Sequence, residues 1–328
     1  RPPRSTLPLT LFPDTTLFDL FQFIELCSQK ALPPPDDETM KGLHDIVDEG
    51  VLGASNHVSL ALALVARIAR AERETARDEA LALAHFISRT RGAGAPIVAN
   101  ALSWQIAGAE DLSPPEASEL LNARAAEWGE AAKERRNALI EKGLEALSGV
   151  RSPLIYDYSS TVANLVRALS GASGLDRIVI PESRAIDGGR RYMTALADLA
   201  VPVLFLPDAA LEYAVSQSDA VLLGAESVTI DGGISNTVGS TPAARAATAR
   251  GIPVHGVADL FKVGDRKAAE LPAPALRRYD DLLRPGEEAS TEAPELEIVP
   301  PKLVTSILTE IGPVAPEGLV DALAHRTA

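Results

Sequence analysis

Five apolar runs in the C-terminal half of the 328-residue chain end on residues that can ionise or hydrogen-bond. Asp157-Tyr158-Ser159-Ser160-Thr161 follows the first run, Glu182-Ser183-Arg184 the second, Asp208 the third, Gly224-Ala225-Glu226 the fourth and Asp259 the fifth. Carboxylates can move protons, hydroxyls can orient a substrate, and the Arg184 guanidinium can pair bidentately with phosphate oxygens. Any one position alone reads as a Ser, Thr or Asp that caps the next helix. Five together point to a ligand site, because an open parallel sheet binds its ligands outside the carboxyl ends of its strands.

The densest stretch is LLGAESVTIDGGISNTVGS, residues 222–240. Asp231-Gly232-Gly233 has turn chemistry, while Asn236, Gly239, Ser240 and Thr241 precede a helical run, Ala243 to Arg250, whose first amides could hold an anion such as phosphate. The Gly-Lys pair of a Walker loop is absent, and no Gly-x-Gly-x-x-Gly follows a strand, which argues against nucleoside triphosphate and dinucleotide binding. His44, His57, His85, His255 and His325 have no metal-ligand spacing, and no metal or cofactor is expected. Cys27 sits among Phe21, Phe23, Ile24 and Leu26 in an amphipathic pattern and reads as a buried, inert thiol. Trp104 and Trp128 fall at helical positions and read as packing anchors.

Two rhythms must position these groups. From Leu17 to about Leu147 apolar residues recur at helical spacing, which predicts helices over Leu17 to Lys30, Asp37 to Glu49, Asn56 to Glu72, Glu74 to Thr90, Ala95 to Ala107 and Pro115 to Leu147. Ser113 before Pro114, Pro115 and Glu116 is a start signal for the last of these. After Gly149 short apolar runs predict strands at Leu154 to Tyr158, Arg177 to Ile180, Val201 to Leu206, Ala220 to Leu223 and Val254 to Val257, with helices between them. Continuous apolar strands alternating with helices imply a parallel sheet covered on both faces. The expected fold is therefore α/β: a helical N-terminal domain over 1–148, then a Rossmann-like, doubly wound C-terminal domain over 149–328. The stretch 264–294 reads as a surface loop or helical insertion, and Leu303 to Ile311 as an apolar segment packing back on the sheet.

Composition limits the partners. Lys plus Arg number 31 and Asp plus Glu 45, a net charge of −14, so the surface repels nucleic acid and acidic membranes and any phosphate contact must be local. Val58 to Ala66 is half a membrane span and is ended by Arg67, so neither a membrane segment nor a secretion signal is expected. One cysteine allows no internal disulfide, which fits the cytoplasm.

The run GAESVTIDGGISNTVGSTPAARAATARGIPVHGVADLFKV, together with IYDYSSTVANLVRAL, IPESRAIDGGR and PPKLVTSILTEIG, resembles the translation initiation factor 2B alpha/beta/delta family. That family also holds methylthioribose-1-phosphate isomerase and ribose-1,5-bisphosphate isomerase. In the helical half, Gly53-Ala54 resembles the family's Arg-Gly-Ala element, and Arg91 with Asn100-Ala101-Leu102 its Arg-Pro-Thr and Asn-Ala-Leu elements. The resemblance implies a helical domain, a Rossmann-like domain through which the protein forms a homodimer, and a sugar-phosphate pocket between them. Guanidinium chemistry makes Arg91 and Arg184, with Arg190 behind them, the candidate phosphate ligands, the alternative being salt bridges to Glu182, Asp187 or Glu226, and Gly53, Ala54, Asn236 and Thr237 would line the site.

The family's isomerases use a cysteine in the first strand-end motif, an aspartate in Gly-Ala-Asp and a later Asn-Lys pair. This chain has Asp157-Tyr158-Ser159-Ser160 without a thiol, Gly224-Ala225-Glu226, and Asn236-Thr237, with the interval from 226 to 236 kept. A hydroxyl does not replace an ionisable thiol without a positioned base, and Glu226 sets its carboxylate one methylene farther out. The leading expectation is a protein that binds a phosphorylated sugar or nucleotide, with weak or no isomerase activity. One alternative is an aldose–ketose isomerase in which Glu226 shuttles the proton and Ser159 or Ser160, near the lost thiol, orients the substrate. Another is a regulatory assembly subunit.

Overall fold

In a computed structural model of the protein, residues 15–47, 54–172 and 174–326 are described. The chain divides into two compact units, Arg1–Gly129 and Glu130–Ala328. The division falls inside one long helix, upstream of the change of rhythm at 148–149.

The first unit is helical: α1 (Thr15–Gln29), α2 (Asp37–Val47), α3 (Ala54–Ala69), α4 (Ala76–Arg89), α5 (Arg91–Gly94), α6 (Pro96–Ile106) and the first part of α7 (Pro114–Ala146). Leu62, Val65, Leu83, Ile87, Val98 and Leu102 are fully buried in it, which explains the helical spacing of those residues. Glu116 accepts from both the amide and the hydroxyl of Ser113, at 3.0 and 2.6 Å, so the start signal read there works as a cap. The rings of Trp104 and Trp128 meet at 5.7 Å with their planes tilted by 46°, and Cys27 is buried, its thiol pushed up by desolvation and by Glu79.

The second unit opens with β1 (Pro153–Tyr156), α8 (Ser160–Ala172), β2 (Ile178–Pro181), α9 (Gly188–Ala195), β3 (Val203–Leu206), α10 (Leu211–Ser216) and β4 (Ala220–Leu223). It continues through β5 (Ser227–Val228), β6 (Ile234–Thr237), α11 (Ser240–Ala249), β7 (Val254–Val257), β8 (Leu276–Arg278), β9 (Glu292–Pro294), β10 (Leu296–Val299), β11 (Ser306–Thr309), β12 (Gly312–Val314) and α12 (Leu319–Ala322). The main sheet runs β12-β11-β7-β4-β1-β2-β3 and is parallel except for β12. Leu154 and Tyr156 pack into the core on one face while Ile155 packs into the core on the other. Two covered faces are why the strands carry no polar alternation. The apolar segment after Pro300-Pro301 supplies β11, which pairs in parallel with β7.

Two features depart from the expectations. The 264–294 stretch, read as a surface loop or a helical insertion, is largely exposed and carries no α-helix, but it holds the unexpected antiparallel pair β8 and β9 and short 3-10 turns. A second, three-stranded antiparallel sheet, β10-β6-β5, stands beside the main one. Its middle strand, Ile-Ser-Asn-Thr, is fully buried although three of its four residues are polar, so hydropathy gave no sign of it. Among the described residues no helix is long and apolar enough to cross a membrane.

Candidate functional site

The site begins with backbone geometry at the carboxyl ends of β1 and β2. Asp157, the first residue after β1, and Ser183, two after β2, both have left-handed φ, +59° and +48°, which non-glycine residues adopt at a cost of about 1–3 kcal/mol. Both side chains are buried and meet: Ser183 Oγ donates to Asp157 Oδ1 at 3.3 Å. The other carboxylate oxygen, Oδ2, accepts from Thr237 Oγ1 of β6 at 2.7 Å. One aspartate thus ties three strand ends together. A Cβ on Gly188 would come within 2.1 Å of Oδ1, so glycine is required for α9 to start against this carboxylate.

Burial raises the Asp157 carboxyl above its ordinary value, and nearby Glu226 pushes it the same way, against the hydrogen bonds from Thr237, Ser183 and the Tyr158 amide. Glu226 itself is exposed, and its amide donates to Ser235 O at 2.9 Å. Ser159 lies under Gly224, where a Cβ would stand 2.6 Å from the Ser159 Cβ. The Ser159 amide donates to the buried Tyr192 hydroxyl at 3.1 Å, and its Oγ accepts from Val162 N at 3.3 Å, which makes Ser159 the cap of α8. Ser160 is exposed at the first position of that helix.

The expected phosphate ligands divide. The Arg184 guanidinium pairs at 3.2 Å with Asp281, in the segment between β8 and β9, and both side chains are more than half exposed. Arg190 pairs with Asp187 at 3.4 Å and lies over the Phe205 ring at 5.7 Å. Asp208 receives the Ser183 and Arg184 amides at 3.0 and 2.8 Å and so fixes the turn that carries Arg184. In the first unit, Arg91 Nε meets His57 Nδ1 at 3.3 Å. Gly53 lies outside the described residues, and Ala54 opens α3.

The amides ahead of α11, expected to hold an anion, already have one. Glu297 of β10 puts its carboxylate Oε1 2.6 Å from Gly239 N and 2.9 Å from Thr241 N, the place a phosphate oxygen would take. Asn236 is also committed, donating to Ser240 Oγ at 3.0 Å. At the start of α9 the Asp187 side chain makes no cap, and the Gly188 and Gly189 amides donate to Ser183 O and Glu182 O at 3.3 and 3.0 Å. Asp157 is the residue that sequence reading passed over as a site residue. Its signal is an acid at the exit of a buried strand, beside a motif that lacks its usual ionisable group. Among the described residues no group of three or more His, Cys, Asp or Glu side chains could hold a metal.

Comparison with known proteins agrees with this architecture. The sequence profile of the initiation factor 2 subunit family matches residues 55–316. The chain belongs to that family. Among its relatives, a ribose 1,5-bisphosphate isomerase of Haloterrigena turkmenica is 28% identical over 276 residues, spanning 79% of this chain and 84% of the relative. The alpha subunit of translation initiation factor eIF2B from Dictyostelium discoideum is 25% identical over 183 residues, 52% of this chain and 57% of the relative. The fold is shared with the translation initiation factor eIF-2B structure from Pyrococcus horikoshii OT3, at TM-score 0.71 and 19% identity, covering 86% of this chain and 98% of that one. It is shared as well with 5-methylthioribose 1-phosphate isomerase from the same organism, at TM-score 0.67 and 20% identity, covering 88% of each.

Proposed function

We propose that the strand ends of the second unit bind a phosphorylated sugar of the ribose class and that isomerase turnover there is weak, below about 1 per second. The observation that carries the reading is the segment Ser183–Arg190. It leaves the sheet beside the buried Asp157–Ser183–Thr237 cluster and carries two arginines, Arg184 and Arg190, around the start of α9. The acids that hold those arginines are largely exposed, and exposed pairs contribute only about 0–1 kcal/mol, so a phosphate dianion can displace them. The relative named for ribose 1,5-bisphosphate supplies the sugar class. Weak turnover follows from the missing thiol, from the longer arm of Glu226 and from Thr237, which brings no positive charge.

The test is calorimetric titration of the purified protein with ribose-1,5-bisphosphate and with 5-methylthioribose 1-phosphate, followed by an assay for ketose formation. Saturable binding with turnover under about 1 per second supports the reading, and faster turnover removes its second half. Absence of binding to both sugars removes the first. The reading includes a homodimer formed through the second unit and a cytoplasmic location. For the dimer it relies on the β3 edge of the sheet, where Val203, Met193 and Tyr213 are exposed at 38%, 40% and 56%. Sedimentation of a monomer at micromolar concentration would remove the dimer.

A further inference from the structure

Asp157 has more built around it than a loop staple needs. Its backbone is held in a left-handed conformation, its neighbour Gly188 leaves no room for a side chain, and it is only 6% exposed. The groups facing it from the packed elements are the Ser183 and Thr237 hydroxyls and the Tyr158 amide, with Glu226 and Tyr192 as the ionisable neighbours, and Tyr156, one residue back on β1, feels its charge in turn. None of these is a cation. A hydroxyl can donate to a carboxylate or accept from a carboxylic acid by rotating, so both protonation states of Asp157 are provided for.

Building on the reading that a phosphorylated ribose binds here, we propose that Asp157 is the proton-transfer residue of the site, taking the C2 proton of a ring-opened sugar 1-phosphate and returning it at C1. The balance is closed. The C1–O4 bond breaks with its electron pair going to O4, which takes a proton from solvent. Asp157 then removes the C2 proton, and the C2–H pair becomes the C1=C2 bond, neutralising C1. Asp157 gives its proton to C1, the O2–H pair becomes C2=O, and that last proton leaves to solvent by way of Glu226. One proton enters, one leaves, and no oxidant or reductant takes part. A buried acid with a raised proton affinity is suited to this, since a carboxyl nearer neutrality is a stronger base than an exposed one.

The experiment compares wild type, Asp157→Asn, Asp157→Cys and Thr237→Val for binding and turnover of ribose-1,5-bisphosphate, with circular dichroism to check folding. The proposal expects Asp157→Asn to lose about 100-fold or more in kcat while binding within about threefold of wild type. Asp157→Cys, which carries a proton on a different side chain, keeps turnover within about tenfold of wild type. Thr237→Val removes a hydrogen bond to the charged carboxylate and moves the acid limb of the kcat profile to higher pH, a shift that a purely structural role would not produce. If Asp157→Asn does not fold, the Cys and Val variants still decide the matter. An Asn variant as fast as wild type, Asn and Cys variants equally slow, an unmoved acid limb, or a wild type that binds the sugar and never turns it over overturns the role of Asp157 and leaves the binding reading intact. A wild type that binds no sugar phosphate overturns both.

Discussion

Two sets of acids stand at the carboxyl ends of one sheet and are held differently. At the β1 end, Asp157 is met by two hydroxyls that rotate, by the Tyr158 amide and by another acid. At the β7 and β11 ends, Glu310 receives the fixed Leu260 amide at 3.0 and 3.2 Å, with Arg135 favouring its charge and Asp259 opposing it. Asp259 in turn caps the Phe261 amide at 3.1 Å. Burial pushes both carboxyls up, and what differs is the partners: side-chain hydroxyls at Asp157, a backbone amide and the field of Arg135 at Glu310. A rotating hydroxyl can follow a proton onto or off Asp157, whereas the Leu260 amide cannot follow one onto Glu310.

The largest break in that comparison comes from Gly188→Ala. Its methyl would meet Asp157 Oδ1 at 2.1 Å and Tyr158 N at 2.8 Å, so a loss of about 3 kcal/mol or more is expected in urea unfolding. Gly171→Ala in α8, where nothing lies within 4 Å, should leave stability unchanged or raise it by up to about 1 kcal/mol.

A second test uses pH. Burial pushes Glu310 up to about 7, so the folded state binds a proton that the unfolded state, near 4.5, does not, and stability falls as pH rises through that window. Relative to wild type, Glu310→Gln should therefore gain about 3 kcal/mol between pH 4.5 and 8. His255 works in the opposite direction. Half-buried and joined to Ser306 Oγ at 2.9 Å, its imidazole is pushed down to about 4 by desolvation, so its contribution is lost as pH falls below 6.5. The two slopes nearly cancel in wild type between pH 4.5 and 6.5, and Glu310→Gln should uncover the His255 slope in thermal melts.

Smaller effects sharpen the anion question. Glu297→Ala removes the carboxylate from the start of α11 and should cost about 1–2 kcal/mol in chemical denaturation, partly recovered in phosphate buffer. Asp281→Asn should change stability by less than about 1 kcal/mol while tightening sugar-phosphate binding about threefold, because it frees Arg184. An unchanged affinity would place phosphate away from Arg184.

Much of the fold was legible because buried parallel strands and amphipathic helices leave opposite imprints on hydropathy. Leu154–Tyr156 and Ala220–Leu223 are buried at every position, as their continuous apolar runs predict. The β6 strand was not legible, because Ser235, Asn236 and Thr237 are buried for their hydrogen bonds rather than for apolar area. The β8–β9 pair was hidden by a segment rich in Pro, Ala and charge. At the site, residue types and strand ends could be read, but pairings could not. Nothing in sequence spacing brings Glu297 to Gly239 or Thr237 to Asp157, since antiparallel register and a crossover decide both.

The excursion between β7 and β10 leaves and returns at fixed points. Val263 bridges to Val228, Gly264 N donates to Val228 O at 2.8 Å, and Val238 N donates to Glu295 O at 2.9 Å. Both moorings lie on the small three-stranded sheet, and between them the segment returns to the body at Arg266, Ala268 and Asp281, so only the stretch around Gly286 is free to change length, where loop closure depends only slowly on residue number. A reporter domain or an affinity handle could be inserted at the exposed turn around Gly286 with the strand ends left in place.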